Sequence, residues 1–136
     1  MKRRNKITAA LSVMVLGCMY ACNNSDIDDI ESFKDYYYYR MSVLSDYELK
    51  WNDDDQHDIC TQEWMYFLEN CSYLESLTGC SLNYTDSEPP FYKSHGLFMK
   101  DTSILNKWFK ENGEHWTIRK ADAYVYKKRK GHTVYY

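Results

Sequence analysis

The sequence lacks the short motifs that mark common enzyme sites. It contains no Gly-x-Ser-x-Gly, no His-Glu-x-x-His and no glycine-rich phosphate-binding loop. It also has no Cys-x-x-Cys pair, so its cysteines do not follow a zinc-site pattern. A nucleophile set of Cys80, His95 and Asp86 is conceivable, but the spacing does not require it. We therefore expect no catalytic residues, no bound metal and no cofactor, and we predict that the chain is not an enzyme.

A long hydrophobic run is also missing. The most apolar stretch, residues 7–21, is shorter than the roughly 20 residues that a membrane-spanning helix needs, and Thr8 and Ser12 interrupt it. Four cations precede the stretch: Lys2, Arg3, Arg4 and Lys6. A cationic start, a short apolar segment and small residues before a polar break are typical of a secretory signal peptide.

Two cysteines close this segment, Cys18 after Gly17 and Cys22 after Ala21. The segment resembles a bacterial lipoprotein signal, in which such a cysteine is lipidated and becomes the mature N-terminus. The polar, acidic run begins directly after Cys22, which favours Cys22 over Cys18 as the lipidated residue. The run of Ser25, Asp26, Asp28 and Asp29 resembles the export signal of surface lipoproteins in Bacteroidetes-type bacteria. The resemblance implies a membrane partner, reached through a lipid anchor at the outer membrane or cell surface.

Charge is distributed unevenly along the rest of the chain. The cysteine at position 22 and the acidic run after it divide the chain into three parts. We predict a signal peptide over residues 1–21, an acidic flexible tether over 22–30 and a single domain over 31–136. Loss of the signal leaves 13 basic and 20 acidic side chains, a net charge of −7. Residues 23–90 hold 16 acidic and 3 basic side chains, whereas residues 91–136 hold 4 and 10. The two halves either pair with each other inside one fold or present an acidic face to a cationic partner.

Several segments favour β-structure. Residues 31–51 fit a helical step as well as strands, and the consecutive Tyr36–Tyr39 lead us to expect a strand pair that turns near residues 44–46. We expect a short edge strand over residues 91–98. Residues 116–126 and 132–136 read as a hairpin whose turn is formed by residues 128–131.

Two segments favour helices. Apolar residues recur at steps of three and four over residues 60–77, with Asp58 as the expected cap and Gly79 as the expected end. A second helix is expected to begin at Asp101, Thr102 or Ser103 and to end at Gly113, and residues 81–90 read as a loop. The predicted fold is α+β, a small single domain with two amphipathic helices packed on a short, mainly antiparallel sheet.

Three cysteines remain in the mature chain: Cys60, Cys71 and Cys80. An odd number in an oxidising compartment suggests one disulfide and one spare thiol. Cys60 and Cys71 lie about 16 Å apart if they share a helix, too far to bridge. A disulfide therefore involves Cys80 or does not form, and three small buried thiols are an equally good interpretation.

Three local clusters suggest ligands. Asn52, Asp54, Gln56, Ile59 and Glu63 stand at the spacing of a calcium loop, but His57 occupies the glycine position, so we favour a solvated acidic loop. His57 with its aspartate neighbours is a weak transition-metal candidate. The basic run 127–130 suggests binding of lipid-headgroup or lipopolysaccharide phosphates, although we favour a charged hairpin tip. The tyrosines at 36–39 and 135–136 form either a recognition surface or packed strands.

The segment from Phe67-Leu68-Glu69 through Leu77-Thr78-Gly79 and Asp101 to residues 108–112 resembles small bacterial lipoproteins of uncharacterised function. We expect a lipid-anchored binding module at the cell envelope with a protein or glycan partner and no nucleic acid. The alternatives are an immunity-type protein that neutralises a toxin and an envelope hydrolase.

Overall fold

Helices make up nearly all of the regular structure. The computed structural model describes residues 25–53 and 59–131. It contains four helices of three turns or more: α1 (Phe33–Trp51), α2 (Thr61–Thr78), α3 (His95–Asn112) and α4 (Ile118–Gly131). A single turn at Ser25–Asp28 precedes α1, and a 3-10 turn at Gly113–His115 joins α3 to α4. No strand occurs within the described ranges, so the predicted α+β fold with an antiparallel sheet is wrong.

Helix α1 replaces the predicted strand pair. Its N-cap is Ser32, whose hydroxyl accepts a hydrogen bond from the Asp35 N–H at 3.1 Å. The residues that α1 buries recur at three and four: Phe33, Tyr36, Tyr37, Arg40, Met41, Leu44, Tyr47 and Glu48. Burial of this whole face outweighs the β-propensity of the consecutive tyrosines.

Helix α2 confirms the helix predicted over residues 60–77. Its N-cap is Cys60, whose backbone N–H donates to the Glu63 carboxylate, and the predicted cap Asp58 lies outside the described residues. The helix ends at Gly79 as predicted. Gly79 has a φ of 73°, a left-handed conformation that glycine adopts without steric cost.

The structure corrects the C-terminal half in two places. The predicted edge strand over residues 91–98 is wrong, because Ser94 caps α3 and the helix begins at His95, six residues before Asp101. The end at Gly113 is confirmed. The predicted hairpin is also wrong over its described part, since Ile118–Gly131 is one helix that contains the expected turn. Residues 132–136 lie outside the described residues.

The core forms where α2 packs against α1, α3 and α4. Aromatic rings dominate the contacts between helices. Tyr47 stacks on Phe67 with ring centroids 4.1 Å apart, and Tyr37 lies 5.0 Å from Phe109. The Tyr37 hydroxyl also donates to the Leu105 carbonyl at 2.7 Å, which links α1 to α3 inside the core. Such offset and tilted ring pairs add to the free energy gained by apolar burial.

The loop between α2 and α3 is fixed to the core by polar contacts, and residues 81–90 are a loop as predicted. Glu75 accepts hydrogen bonds from the Leu82 N–H and the Tyr84 hydroxyl. Buried Asp101 accepts from both the backbone and the side chain of Asn83. These bonds hold α3 in a defined position relative to α2.

The chain N-terminal to α1 already contacts the domain. Ile27 and Ile30, which fall in the predicted tether, are partly buried against the core. The cysteines within the domain, Cys60, Cys71 and Cys80, are free thiols, and Cys71 is buried. No helix in the described part of the chain is long and apolar enough to cross a bilayer.

Candidate functional site

A shallow groove runs between α1 and α3. It consists of two adjoining depressions of about 420 and 380 Å³ that share Met99, Thr102 and Asn106. Both depressions are largely open to solvent, so they suit contact with a few side chains of a partner. The remaining lining residues are Tyr38, Met41, Ser42, Ser45 and Phe98 towards α1, and Ser103, Lys107 and Lys110 along α3.

The groove has an apolar floor. Met41 and Phe98 are buried beneath it, whereas the side chain of Met99 is 53% exposed at its edge. Methionine side chains are flexible and polarizable, and they adapt to partners of different shape. The floor therefore provides hydrophobic contact to ligands of more than one shape.

Polar groups on the rim can give direction to a ligand. The hydroxyls of Ser42 and Thr102 donate to the carbonyls of Tyr39 and Met99, at 2.6 and 3.0 Å, which leaves their oxygen lone pairs as acceptors. The side-chain amide of Asn106 makes no hydrogen bond within the described ranges and can both donate and accept. Lys107 and Lys110 add positive charge at one end.

A second cluster is buried between α1, α2 and α4. The Arg40 guanidinium lies 3.5 Å from the ring centroid of Tyr73 and 4.7 Å from that of Tyr36. It donates to the Asn70 side-chain oxygen at 3.1 Å and to the Tyr36 hydroxyl at 2.6 Å. Among the described residues, its Nε has no hydrogen-bond partner. This cluster joins α1 to α2 through a cation that is only 8% exposed.

Asp122 extends this cluster to α4. Its carboxylate accepts from the Tyr36 hydroxyl at 2.9 Å and from the Tyr73 hydroxyl at 2.6 Å. Burial, together with the hydrogen bond to Asp122, raises the pKa of Tyr73; burial also raises the pKa of Tyr36. Both hydroxyls therefore stay protonated at neutral pH and act as donors. These hydrogen bonds hold α1, α2 and α4 together and do not form a reactive centre.

Glu48 and Tyr92 form a third buried polar group. Glu48 accepts from the Asn52 amide at 2.9 Å and lies 3.6 Å from the His95 ring nitrogen. Its second oxygen and the Tyr92 hydroxyl are buried without a partner among the described residues. Burial raises the pKa of Tyr92, so this hydroxyl is neutral at ordinary pH. Nothing here forms a nucleophile paired with a base.

Two residues of the suggested calcium loop have capping roles in the structure. Asn52 is the C-cap of α1, and Glu63 serves the capping box of α2 while it pairs with the Lys50 ammonium. Residues 54–58, which include Asp54, Gln56 and His57, lie outside the described residues. Within the described ranges, no group of three or more acidic, histidine or cysteine side chains is placed to hold a metal ion.

Most of the remaining sequence-predicted residues that the structure describes have structural roles, whereas Tyr38 lines the groove. His95 lies at the start of α3 against Glu48, and the basic run 127–130 forms the end of α4, where Lys128 and Arg129 bind α2. Tyr36 and Tyr37 are core residues and not an exposed recognition surface. Cys18, Cys22, Tyr135 and Tyr136 lie outside the described residues.

Sequence reasoning missed Arg40, Asn70, Asp122 and the groove residues Met99 and Asn106. A signal was present for two of them, because Arg40 and Asn70 stand at buried positions of apolar helix faces. The groove gave no comparable signal, since its two walls lie more than fifty residues apart in the chain.

No protein-family model, curated protein or solved structure matches this chain. The functional argument therefore rests on the sequence and on the geometry described above.

Proposed function

We propose that this protein is a lipid-anchored binding module of the bacterial envelope. In this proposal Cys22 carries the lipid, the helical domain stays at the membrane surface, and the groove between α1 and α3 receives a segment of a partner protein. The observation that carries the proposal is the signal-like segment of residues 1–21, followed by a cysteine and then at once by acidic residues.

The length of the tether supports this arrangement. Ile27 already packs against the core, so only five residue steps separate it from Cys22. The turn at Ser25–Asp28 is helical, so only the three steps from Cys22 to Ser25 can be extended, and at roughly 3.6 Å per residue they reach at most about 11 Å. A lipid on Cys22 would thus keep the domain close to the bilayer.

The chemistry of the groove supports binding over catalysis. Its lining combines methionine and aromatic carbon with hydroxyl and amide groups and two lysines at one end, and the lining residues include no histidine or carboxylate to act as a general base. An apolar groove between two helices is a usual site for a partner helix or an extended segment. A protein segment therefore fits this lining better than a highly hydroxylated glycan.

The anchor is tested by growing cells with a fatty acid that carries a clickable alkyne. We expect the protein to become labelled, a Cys22→Ser variant to lose the label and a Cys18→Ser variant to keep it. Labelling that survives Cys22→Ser and disappears with Cys18→Ser would move the anchor to Cys18. No labelling in any of the three proteins would contradict a lipid anchor.

The groove is tested with a matched pair of methionine variants. Met99 lies in the groove and is 53% exposed, whereas Met65 on α2 is 56% exposed and lines neither depression. We expect Met99→Glu to abolish crosslinking of the envelope partner and Met65→Glu to leave it intact. Equal crosslinking by both variants, with unchanged melting temperatures, would exclude the groove as the binding site.

A further inference from the structure

The outward face of α4 carries cations and a tyrosine but no acid. Ala121 and Val125 are buried against the domain, so the opposite face of the helix is in solvent. The exposed face carries five side chains at helical spacing: Arg119, Lys120, Tyr126, Lys127 and Lys130. The stripe spans twelve residues, about 17 Å at 1.5 Å per residue. We call it the α4 stripe.

The acidic residue of α4 is bound to the neighbouring helices. Asp122 is the one acidic residue of the helix; its side chain is exposed, and its carboxylate accepts hydrogen bonds from the hydroxyls of Tyr36 on α1 and Tyr73 on α2. Lys128 and Arg129 lie on the side of the helix next to α2, where Lys128 donates to the Ser76 carbonyl and Arg129 forms an exposed pair with the Glu69 carboxylate.

The chain enters the domain beside the start of α4. Phe33, at the beginning of α1, has its ring centroid 6.5 Å from that of Trp116, which in turn lies 5.3 Å from Tyr124 on α4. Tyr36, one turn later, binds Asp122. A tether of so few residues from Cys22 would therefore hold this side of the domain near the bilayer.

We propose that the α4 stripe lies on the anionic headgroups of the membrane that holds the anchor. The inference rests on the proposed lipid anchor and adds an orientation to it. Each surface cation near an anionic bilayer contributes roughly 1 kcal/mol, or about a fivefold gain in binding, and tyrosine favours the interface. With α4 against the lipid, the domain has a fixed orientation at the surface.

The test is hydroxyl-radical footprinting of the full lipidated chain on vesicles. One vesicle set is pure phosphatidylcholine, and the other contains phosphatidylglycerol. Oxidation of Tyr126, which is 60% exposed, reports contact at the stripe, and oxidation of Met65 on α2 is the internal reference. We expect Tyr126 to be protected several-fold on anionic vesicles at low salt, and this protection to disappear at 1 M salt, where the screening length falls to about 3 Å.

Two triple variants with the same change in charge provide the control. Lys120→Gln, Lys127→Gln and Lys130→Gln together remove stripe cations but leave Lys128 and Arg129 in place. Lys100→Gln, Lys107→Gln and Lys110→Gln remove three exposed cations from α3. We expect only the α4 variant to lose protection of Tyr126.

The outcomes separate the two proposals. Binding of the protein to each vesicle type is measured in parallel by flotation on a density gradient. Flotation with both vesicle types and equal Tyr126 oxidation on each would overturn the contact of the α4 stripe with the membrane while the lipid anchor stands. Flotation with anionic vesicles alone, abolished by the α4 variant, would support the stripe and overturn the anchor. Absence of flotation with either vesicle would overturn both. Protection of Tyr126 in cells but not on anionic vesicles would overturn the lipid assignment in favour of an acidic protein.

Discussion

At the scale of single residues, the most informative group is the set around Arg40. Its guanidinium contacts the rings of Tyr36 and Tyr73, and the Tyr36 hydroxyl donates a hydrogen bond to the Asp122 carboxylate. Three helices thus meet at one hydrogen-bonded network. The Arg40 Nε has no acceptor among the described residues, and loss of any acceptor in this network would leave a further buried donor unpaired, which destabilises the fold.

We predict that Asp122→Ala destabilises the protein by about 1–2 kcal/mol, because two half-buried tyrosine hydroxyls would lose their acceptor. The free energy of unfolding is measured by urea denaturation. Glu111→Ala is the control, since the contact of Glu111 within the described residues is an exposed i,i+4 pair with Lys107, and its loss should cost less than about 0.5 kcal/mol. Equal losses for the two variants would refute a role for the network.

Some of these residue roles were accessible from the sequence. Gly79 was predicted as a helix end because glycine favours the left-handed conformation found there, and Gly113 was predicted as the end of the next helix. The partners of Asp122 were not accessible, since Tyr36 lies 86 residues away and Tyr73 lies 49 residues away. Contacts at such separations depend on the fold, which local sequence patterns do not specify.

At the scale of elements, two tyrosine-rich segments explain why the fold class was predicted wrongly. Residues 36–39 and 116–126 contain residues that favour strands, yet both lie wholly or mostly in helices. In each helix the buried positions keep a step of three or four, as in Ala121 and Val125. Periodicity of the buried face was therefore the better guide, and it was already visible in the step from Phe33 to Tyr37, Met41 and Leu44.

We predict opposite effects of alanine at two glycines. Gly79 has a φ of 73°, so Gly79→Ala should cost about 1 kcal/mol although no atom obstructs the new methyl group. Gly96 lies in the first turn of α3 with only an ordinary contact to Ser94, so Gly96→Ala should stabilise by about 0.5 kcal/mol. Thermal unfolding of both variants measures the two shifts. Stabilisation by Gly79→Ala would contradict the left-handed end of α2.

At the scale of the whole molecule, the tyrosines connect the core to pH. Burial is the main cause that raises the pKa of a set of them above the ordinary value of 10.0: Tyr36, Tyr37, Tyr47, Tyr73, Tyr84 and Tyr92. A raised pKa in the folded state means that the protonated form is favoured by folding. The resulting stability is fully present below pH 10 and is lost as the pH rises towards the folded pKa values.

We therefore predict cooperative alkaline unfolding above pH 10, with the buried tyrosines ionising as the protein unfolds. Ultraviolet absorbance of tyrosinate and circular dichroism, followed in one titration, should change together for this group. In concentrated denaturant the same tyrosines should ionise near pH 10. Ionisation of all tyrosines near pH 10, with the helical signal retained, would show that these rings are not buried.

The proposed localisation of the protein rests on its sequence alone, because residues 1–24 lie outside the described part of the chain. The structure adds that Ile27 and Ile30, five and eight residues after Cys22, pack against the core. Charge is unevenly distributed along the chain, with most acidic residues before residue 91 and most basic residues of the domain after it. Part of it is internal pairing, as in the contact of Arg129 with Glu69, and part of it faces outward on α4.

The most direct test of the account is the mass of the N-terminal peptide of the native protein, purified from membranes. We predict a peptide that begins at Cys22 and carries a diacylglyceryl group on its thiol. A peptide that begins at Met1, with unmodified thiols on Cys18 and Cys22, would contradict the central claim.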